Sequence, residues 1–539
     1  MSAFFVGVDV GTASARAGVF GNTGELLGTA KRDIAVHREK GGMVEQSSGQ
    51  VWGAVCASVR EAVATAGISP TDVRGIGFDA TCSLVVLGEK GAPLPVGFSG
   101  DAERDIIVWM DHRAVGQAER INATGHDVLR FVGGTISPEM ETPKLLWLKE
   151  NRRDVFDTAW QFFDLTDFLT WKSSGSLARS SCTVTCKWTY LAHEGRWDPS
   201  FFRKIGLEEL PDEEFARIGQ EVVDPGTALG AGLTKAAAED LGLTPGTAVA
   251  AGLIDAHAGG VGTVGAKAGG PSDPTRCMGY VFGTSSCTMT TTEQPAFVPG
   301  VWGPYFSAMI PGAWLNEGGQ SAAGAAIDHL INFHPAAAEA SNLARADGIS
   351  LTEWLANRAA GSAASASDAA RLAGGVHVVP EFLGNRAPFA DPQARAIIAG
   401  LGMERDLDSL VALYVAGLCG LGYGLRQIVE TQAAHGVRVE TIAISGGAGR
   451  HPLVRQLLAD TTGLPVISTR SEEPVLLGSA ILGAVAAGAY ADIGTAISAM
   501  STREETYVPA ANEMRDWHKA RFDAFTNLQK TARSIACAI

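Results

Sequence analysis

The sequence predicts an α/β protein made of two related halves, and three observations carry that prediction. Strand-like apolar runs and helix-like segments mix along the whole chain. The stretch "VGVDVGTASARAGVF" (Val6–Phe20) has a counterpart about half a chain later, "GYVFGTSSCTMTTT" (Gly279–Thr292). Finally, 539 residues exceed one ordinary core. At roughly 100–200 residues per domain they make two large domains or three to four smaller ones.

Both stretches read as β-hairpins with an unusual bend. The first breaks its apolar run at Asp9, turns through Gly11-Thr12-Ala13-Ser14 and resumes at Ala17. The second turns through Gly283-Thr284-Ser285-Ser286. Glycine admits close approach of a ligand to the backbone, and successive N–H groups then form an anion nest to which Thr and Ser hydroxyls add donors. Two such nests across a cleft can clamp a triphosphate. Asp9 repels phosphate, but it can hold a Mg2+ that bridges phosphate oxygens. Two ordinary tight hairpins with a stray Asp are the plainer alternative, and the pairing argues against it.

The remaining elements follow in order. "RGIGFDATCSLVVL" (Arg74–Leu87) is a strand, a polar turn and a strand. "VWMDHRA" (Val108–Ala114) places an aromatic and charged cluster after a strand end. "TPKLLWLKEN" (Thr142–Asn151) opens a helix with Leu and Trp on one face, and "FFDLTDFLTWKSSG" sets Asp164 and Asp167 near a helix start. "GTAVAAGLIDAHAGG" (Gly246–Gly260) is a buried strand ending on Asp255. "LNEGGQSAAGAAIDHL" (Leu315–Leu330) is a Gly turn and an Ala-rich helix. Ala336–Ala373 looks the most disordered, although "LTEWLANRAA" permits helix. "IAISGGAGRHPLVRQLLADTTGLPV" (Ile442–Val466) is strand, Gly-Gly turn, helix and strand, and "EEPVLLGSAILGAVAAG" is a close-packed helix. The tail Asn512–Ile539 has helical spacing and reads as a docked helix.

Bulk properties narrow the function. Apolar residues make up 46% and charged residues 19%, with 65 Gly, a globular composition. A net charge of −15 argues against nucleic acid or an anionic membrane as partner. "MSAFFVGVDVG" carries no signal-peptide pattern, and the apolar runs Val411–Leu425 and Val475–Tyr490 read as buried core helices. The eight cysteines are scattered, so reduced thiols in a cytoplasmic protein are expected. Only Cys182 and Cys186 lie close. Zinc there would need two more ligands, and His193 is the one local candidate. No GxxxxGK[ST] occurs. The GxGxxG at Gly260–Gly265 lacks a following helix and a ribose-binding acid, so close helix packing explains it better.

The set "GVDVGTASAR", "WMDHR", "PKLLWLKEN", "GLIDAHAGG", "FGTSS" and "SGGAGRHPLVRQLLAD" resembles the FGGY family of carbohydrate kinases, in order from Val6 to about Gly488. "GFDATCSLVVL" and "GGTISPEMETPKLLWLKEN" resemble the pentulose-kinase branch typified by D-ribulokinases. The resemblance implies an actin-like ATPase fold, two ribonuclease-H-like domains around a central cleft, here 1–257 and 258–539. It implies ATP and Mg2+ as cofactors, a small-molecule sugar as substrate, no nucleic acid or membrane partner, and allows a homodimer. Two departures stand out: Glu141 where many members carry a small residue or Pro, and Arg450-His451 where glycerol kinases carry Asn.

Roles follow for individual residues. Phosphoryl transfer to an alcohol needs alignment, charge neutralisation and a proton acceptor. Asp255, at the end of a buried strand, is the general base, with contacts to sugar and metal; a helix N-cap is its plainer role. Asp9 goes to Mg2+. Gly11, Thr12, Ser14, Arg16, Gly283, Thr284 and Ser285 go to the ATP phosphates. Family position puts Gly324, Asp328, Gly446, Gly447 and Arg450 on the nucleoside side. Thr81, Cys82, Ser83, Asp111 and His112 are the first sugar candidates, and Lys187 and Glu317 resemble sugar-contacting positions in ribulokinases. Asp111 as a turn residue, and Lys187 and Glu317 as solvated surface groups, are the plainer readings. D-ribulose is the leading substrate. L-ribulose, D-xylulose, ribitol and glycerol are alternatives within the class, and an actin-like chaperone or filament ATPase is the alternative outside it. The insertion Val108–Trp188 with Asp111 and Lys187, and Asp255, favour the kinase.

Overall fold

The computed structural model describes residues 3–266 and 273–536. In the first half, the central strand Phe4–Val10 pairs antiparallel with Ser14–Phe20 and parallel with Val73–Ala80. Leu26–Asp33 closes one edge, and Ala248–Val249 and Leu253–Ile254 pair on the other side of Val73–Ala80. The second half repeats this plan. Cys277–Phe282 pairs antiparallel with Ser286–Thr292 and parallel with Thr441–Ser445, inside a seven-stranded sheet. The similarity between the two hairpins is therefore a similarity of topology.

The strand Phe4–Val10 is buried on both faces, which is why it reads as one apolar run. Its outer cover comes from far along the chain. Helix Pro474–Ala486 lies directly on the backbone of the first sheet: a Cβ on Gly7 would sit 1.9 Å from Leu476 O, and one on Gly77 2.0 Å from Ser479 O. The same helix touches helix Asp255–Val261, where a Cβ on Gly478 would fall 1.9 Å from Ala258 O. Glycines here let three backbones meet at distances that any side chain would forbid. The division at 257/258 thus follows the chain but not the packing, since a helix of the second half completes the core of the first.

Three expectations about secondary structure need correction, and the helix start at Asp164, the docked tail and the buried apolar helix stand as read from the sequence. The segment 336–373 is ordered: helices Ala337–Ala346 and Leu351–Gly361 and a 3-10 turn Asp368–Ala373 bury Ala340, Ala344, Leu355, Ala356 and Ala359. Small side chains pack closely there, and alanine supplies helix propensity. The stretch expected as one strand before Asp255 is two two-residue strands, and Asp255 begins a helix. Helix Glu141–Asn151 has no single apolar face, because Glu141 to Leu148 are all buried. Asp164 caps its helix, accepting from Thr166 N. The tail forms helix Asn512–Ala536, docked through Met514, Phe522 and Phe525; residues 537–539 lie outside the described residues. Helix Leu407–Ala434 is long and apolar enough to span a membrane, but 72% of its apolar window is buried inside the protein.

Candidate active site

The candidate site comprises the two hairpin bends, the cavity beside the second bend and the polar groups around Asp9 and Asp255. On the nucleotide side is a cavity of about 740 Å³, lined by Gly283, Thr284, Gly324, Asp328, Gly447 and Arg450 among others. Sequence reasoning placed all six on ATP, and they come together from three separate segments. Gly446 has φ 92°, and a Cβ there would lie 2.4 Å from Phe282 O, so its glycine shapes the turn instead of lining the cavity. His451 caps helix Pro452–Thr462 and bonds Asn357 at 3.0 Å.

The two bends are closed by their own backbones. Gly11 N–H donates to Ser14 O at 3.0 Å and Gly283 N–H to Ser285 O at 2.9 Å. These two N–H groups are therefore spent within their turns, and Ser14 and Ser285 act there through their carbonyls. Thr284 O accepts from Ala323 and Ala325, tying the second bend to helix Gly324–Phe333. Thr12 Oγ1 accepts from Trp109 Nε1 at 2.9 Å, which leaves its hydroxyl proton free to donate.

Asp9 ends the central strand, nearly buried, with Asp79 opposite it in register on the parallel neighbour. Arg16 does not face the cavity in this arrangement. Its Nε donates to Asp9 Oδ2 at 2.8 Å and its Nη1 to Glu473 Oε2 at 2.6 Å. The sequence put Arg16 on the phosphates; here its guanidinium bridges two carboxylates, one from each half. Asp79 was not anticipated. It is fully buried, Ser479 Oγ donates to its Oδ2 at 2.5 Å, and its Oδ1 has no hydrogen-bond donor among the described residues. Burial, followed by the charge of Asp9, pushes its carboxyl well above the usual range.

Asp255 is half-buried at the first turn of its helix and accepts from Ala256 N at 2.7 Å. Burial and then Asp9 push its carboxyl up to about 7. That is the range a general base needs. Asp9 and Asp255 together present hard carboxylate oxygens close enough to feel each other's charge, a donor set that fits Mg2+.

The sugar side is more mixed. Thr81 and Ser83 are buried with hydroxyls 3.2 Å apart, and Ser83 Oγ accepts from Trp109 N at 3.1 Å. Cys82 is buried beside them, and burial raises its thiol. His112 is exposed, 3.6 Å from Glu139. Asp111 is a correction. It is fully buried, and its oxygens accept from Val44 N and from Arg113, which also holds Glu45 at 2.9 Å. This is an internal ion network with no oxygen left for a sugar.

Lys187 and Glu317 are buried, which removes the solvated-surface reading of both. Lys187 Nζ lies 5.5 Å from the Trp302 ring, and Arg386 lies 5.4 Å from the same ring. Burial opposes the charge on Glu317, but Lys187 and then His257 outweigh it and bring its carboxyl down to about 2. Cys182, Cys186 and His257 cluster beneath, so the sequence's zinc candidate His193 is not the residue that approaches the cysteines; it packs on Phe131 at 4.4 Å. Gly260 and Gly262 of the GxGxxG pack against Met309 and Pro474, as close helix packing requires.

The sequence matches the N-terminal domain of the FGGY family of carbohydrate kinases over residues 4–262 and the C-terminal domain over 278–487. It is 46% identical over 532 residues to the human FGGY carbohydrate kinase domain-containing protein, covering 97% of this chain and 96% of that one. It is 40% identical over 514 residues to a Saccharomyces cerevisiae protein named D-ribulokinase, covering 90% and 72%. The fold matches the crystal structure of a xylulose kinase from Rhodospirillum rubrum with a TM-score of 0.79 at 20% identity, over 99% of each chain. The architecture is thus the actin-like two-domain fold of these sugar kinases. With both domain models matched in order and full-length relatives this similar, the chain belongs to the FGGY family of carbohydrate kinases and is a phosphotransferase.

Proposed function

We propose that the enzyme transfers the γ-phosphoryl group of ATP to the terminal hydroxyl of a pentulose, D-ribulose first, forming D-ribulose 5-phosphate. The observation that carries the reading is Asp255. Burial and then the charge of Asp9 raise its carboxyl, the Ala256 N–H, His257 and Lys187 pull the other way, and it comes to about 7. In that position it accepts the proton of O5 as the phosphoryl group moves. Asp9 and Asp255 would hold Mg2+, which when bound neutralises phosphate charge. Thr12 and Thr284 donate from the two bends, Lys187 and Glu317 orient the sugar hydroxyls, and closure of the cleft excludes water. D-ribulose is supported by the yeast relative that carries the name D-ribulokinase.

The test is ADP release with D-ribulose, L-ribulose, D-xylulose, ribitol and glycerol. D-ribulose should give the highest kcat/KM, because groups built for particular hydroxyls are left unpaired by the wrong isomer. A preference for glycerol or D-xylulose would overturn the substrate and leave the kinase.

A further inference from the structure

A buried hydrogen-bond chain runs beneath the cleft, and the mechanism above gives it no role. Cys182 and His257 are both 0% exposed. Cys182 Sγ lies 3.1 Å from His257 Nδ1, and the Ile254 backbone N–H donates to the same sulfur at 3.4 Å. The other ring nitrogen, Nε2, lies 3.4 Å from Glu317 Oε2. One imidazole is thus gripped at both nitrogens, by a thiol from the first half of the chain and a carboxylate from the second.

We propose that Cys182 and His257 are positioning residues that fix the Glu317 carboxylate for the sugar, so that sugar affinity depends on a thiol that does not touch the sugar. The inference rests on the reading that Glu317 contacts the substrate. What matters is that the ring is anchored at both nitrogens. Glu317 is an acceptor, so Nε2 must carry a proton to bond it. Nδ1 then either accepts from the Cys182 S–H or donates to its thiolate, and Nε2–H points at Glu317 in both cases. Without the sulfur, Nδ1 loses its partner, the ring is held at one nitrogen only, and it is free to turn Nε2–H away from the carboxylate. His257 supplies the one side-chain hydrogen bond that Glu317 has among the described residues. A buried carboxylate that loses its donor is costly and moves.

The same neighbourhood admits a rival. Cys182, Cys186 and His257 have ligand atoms within 4.8 Å of one another, a donor set for a soft divalent metal. A metal on these atoms would replace the Nδ1–sulfur hydrogen bond.

The experiment measures kcat and both KM values for the full chain as wild type, Cys182→Ala, Cys182→Ser, Glu317→Gln and the Cys182→Ala/Glu317→Gln double variant. Glu317→Gln should raise the sugar KM at least about 10-fold, the scale of a hydrogen bond to a charged group. If it does not, the reading of Glu317 fails and the relay fails with it. Given that effect, Cys182→Ala should raise the sugar KM by about 5–10-fold, chiefly in KM, with the ATP KM unmoved. Cys182→Ser should restore most of the loss, and the double variant should add little to Glu317→Gln. A Cys182→Ala enzyme with the wild-type sugar KM, or full additivity, would overturn the relay alone. So would stoichiometric zinc found in the purified protein by mass spectrometry. If Cys182→Ala does not fold, 15N NMR of the wild-type histidines decides. D-ribulose should shift the His257 Nε2 resonance, and an unmoved resonance at saturation would overturn the proposal.

Discussion

Asp9 and Asp79 face each other across adjacent parallel strands, paired in register, and Arg16 donates to Asp9. Among the described residues Asp79 has Ser479 donating to one oxygen and no donor on the other. Two carboxylates this close do not both ionise at low cost, and burial selects Asp79 as the neutral one. The two positions should therefore answer differently to the same substitution. Asp79→Asn keeps a neutral group and should retain activity within about 10-fold, whereas Asp9→Asn should raise the Mg2+ requirement and cut turnover by about 100-fold or more. Turnover against Mg2+ concentration checks this. Equal losses from the two variants would contradict it.

The Asp111 network makes a prediction about folding rather than binding. Asp111→Ala leaves Arg113 buried with Glu45 as its remaining acidic partner, and breaking a buried ion pair costs about 3–5 kcal/mol. Thermal unfolding should show a large drop in Tm. A folded variant with normal Tm and a raised sugar KM would return Asp111 to the sugar site.

Glycines at the helix junction and at the nucleotide cavity should separate stability from binding. Gly478→Ala drives a methyl into the Ala258 carbonyl and should destabilise by roughly 1–3 kcal/mol. Gly447 has open space around its Cβ position and lines the cavity. Gly447→Ala should keep its Tm and raise the KM for ATP. Denaturant unfolding and ATP titration report the two effects, and a stable Gly478→Ala protein would contradict the close packing.

How much of this was legible beforehand depends on how local each feature is. The two hairpins were visible because an apolar run broken by Gly and hydroxyls is a local pattern, and the structure closes each bend by a hydrogen bond from its glycine N–H. Asp255 was visible because a lone Asp ended an apolar segment. The roles of Asp111 and Arg16 were not visible. "WMDHR" looks like a polar turn until Val44 and Glu45 arrive from 67 and 68 positions away. Nothing near Arg16 announces Glu473, 457 positions on. The spacing of Gly478 and Gly483 signals close packing, but the sheet they pack on is a tertiary fact. His257 was quoted within the Asp255 motif and carried no local sign of Cys182, 75 positions earlier.

Asp255 also ties function to stability. An acid whose folded pKa is raised favours the neutral form, so its penalty on the folded state is absent below its unfolded value of 3.8 and is complete once pH passes about 7. Asp255→Asn should therefore stabilise the fold at pH 8, by an amount on the order of a few kcal/mol at most, and raise Tm there more than at pH 5. In the wild type, kcat/KM should fall as pH drops through about 7, where the base becomes protonated. A Tm difference that does not change with pH would show that Asp255 is not the group under strain.

The most direct measurement of the central claim is ADP release by wild type and Asp255→Asn, each with and without D-ribulose. A carboxylate that takes the O5 proton contributes ~10²–10⁴-fold in rate. Wild type should therefore release ADP slowly alone and rapidly with D-ribulose. Asp255→Asn should lose at least about two orders of magnitude of the stimulated rate while still binding ATP through the two bends. Sugar-independent ADP release in the wild type, unchanged across the whole pentulose panel, would contradict the kinase mechanism and leave an actin-like ATPase of another kind.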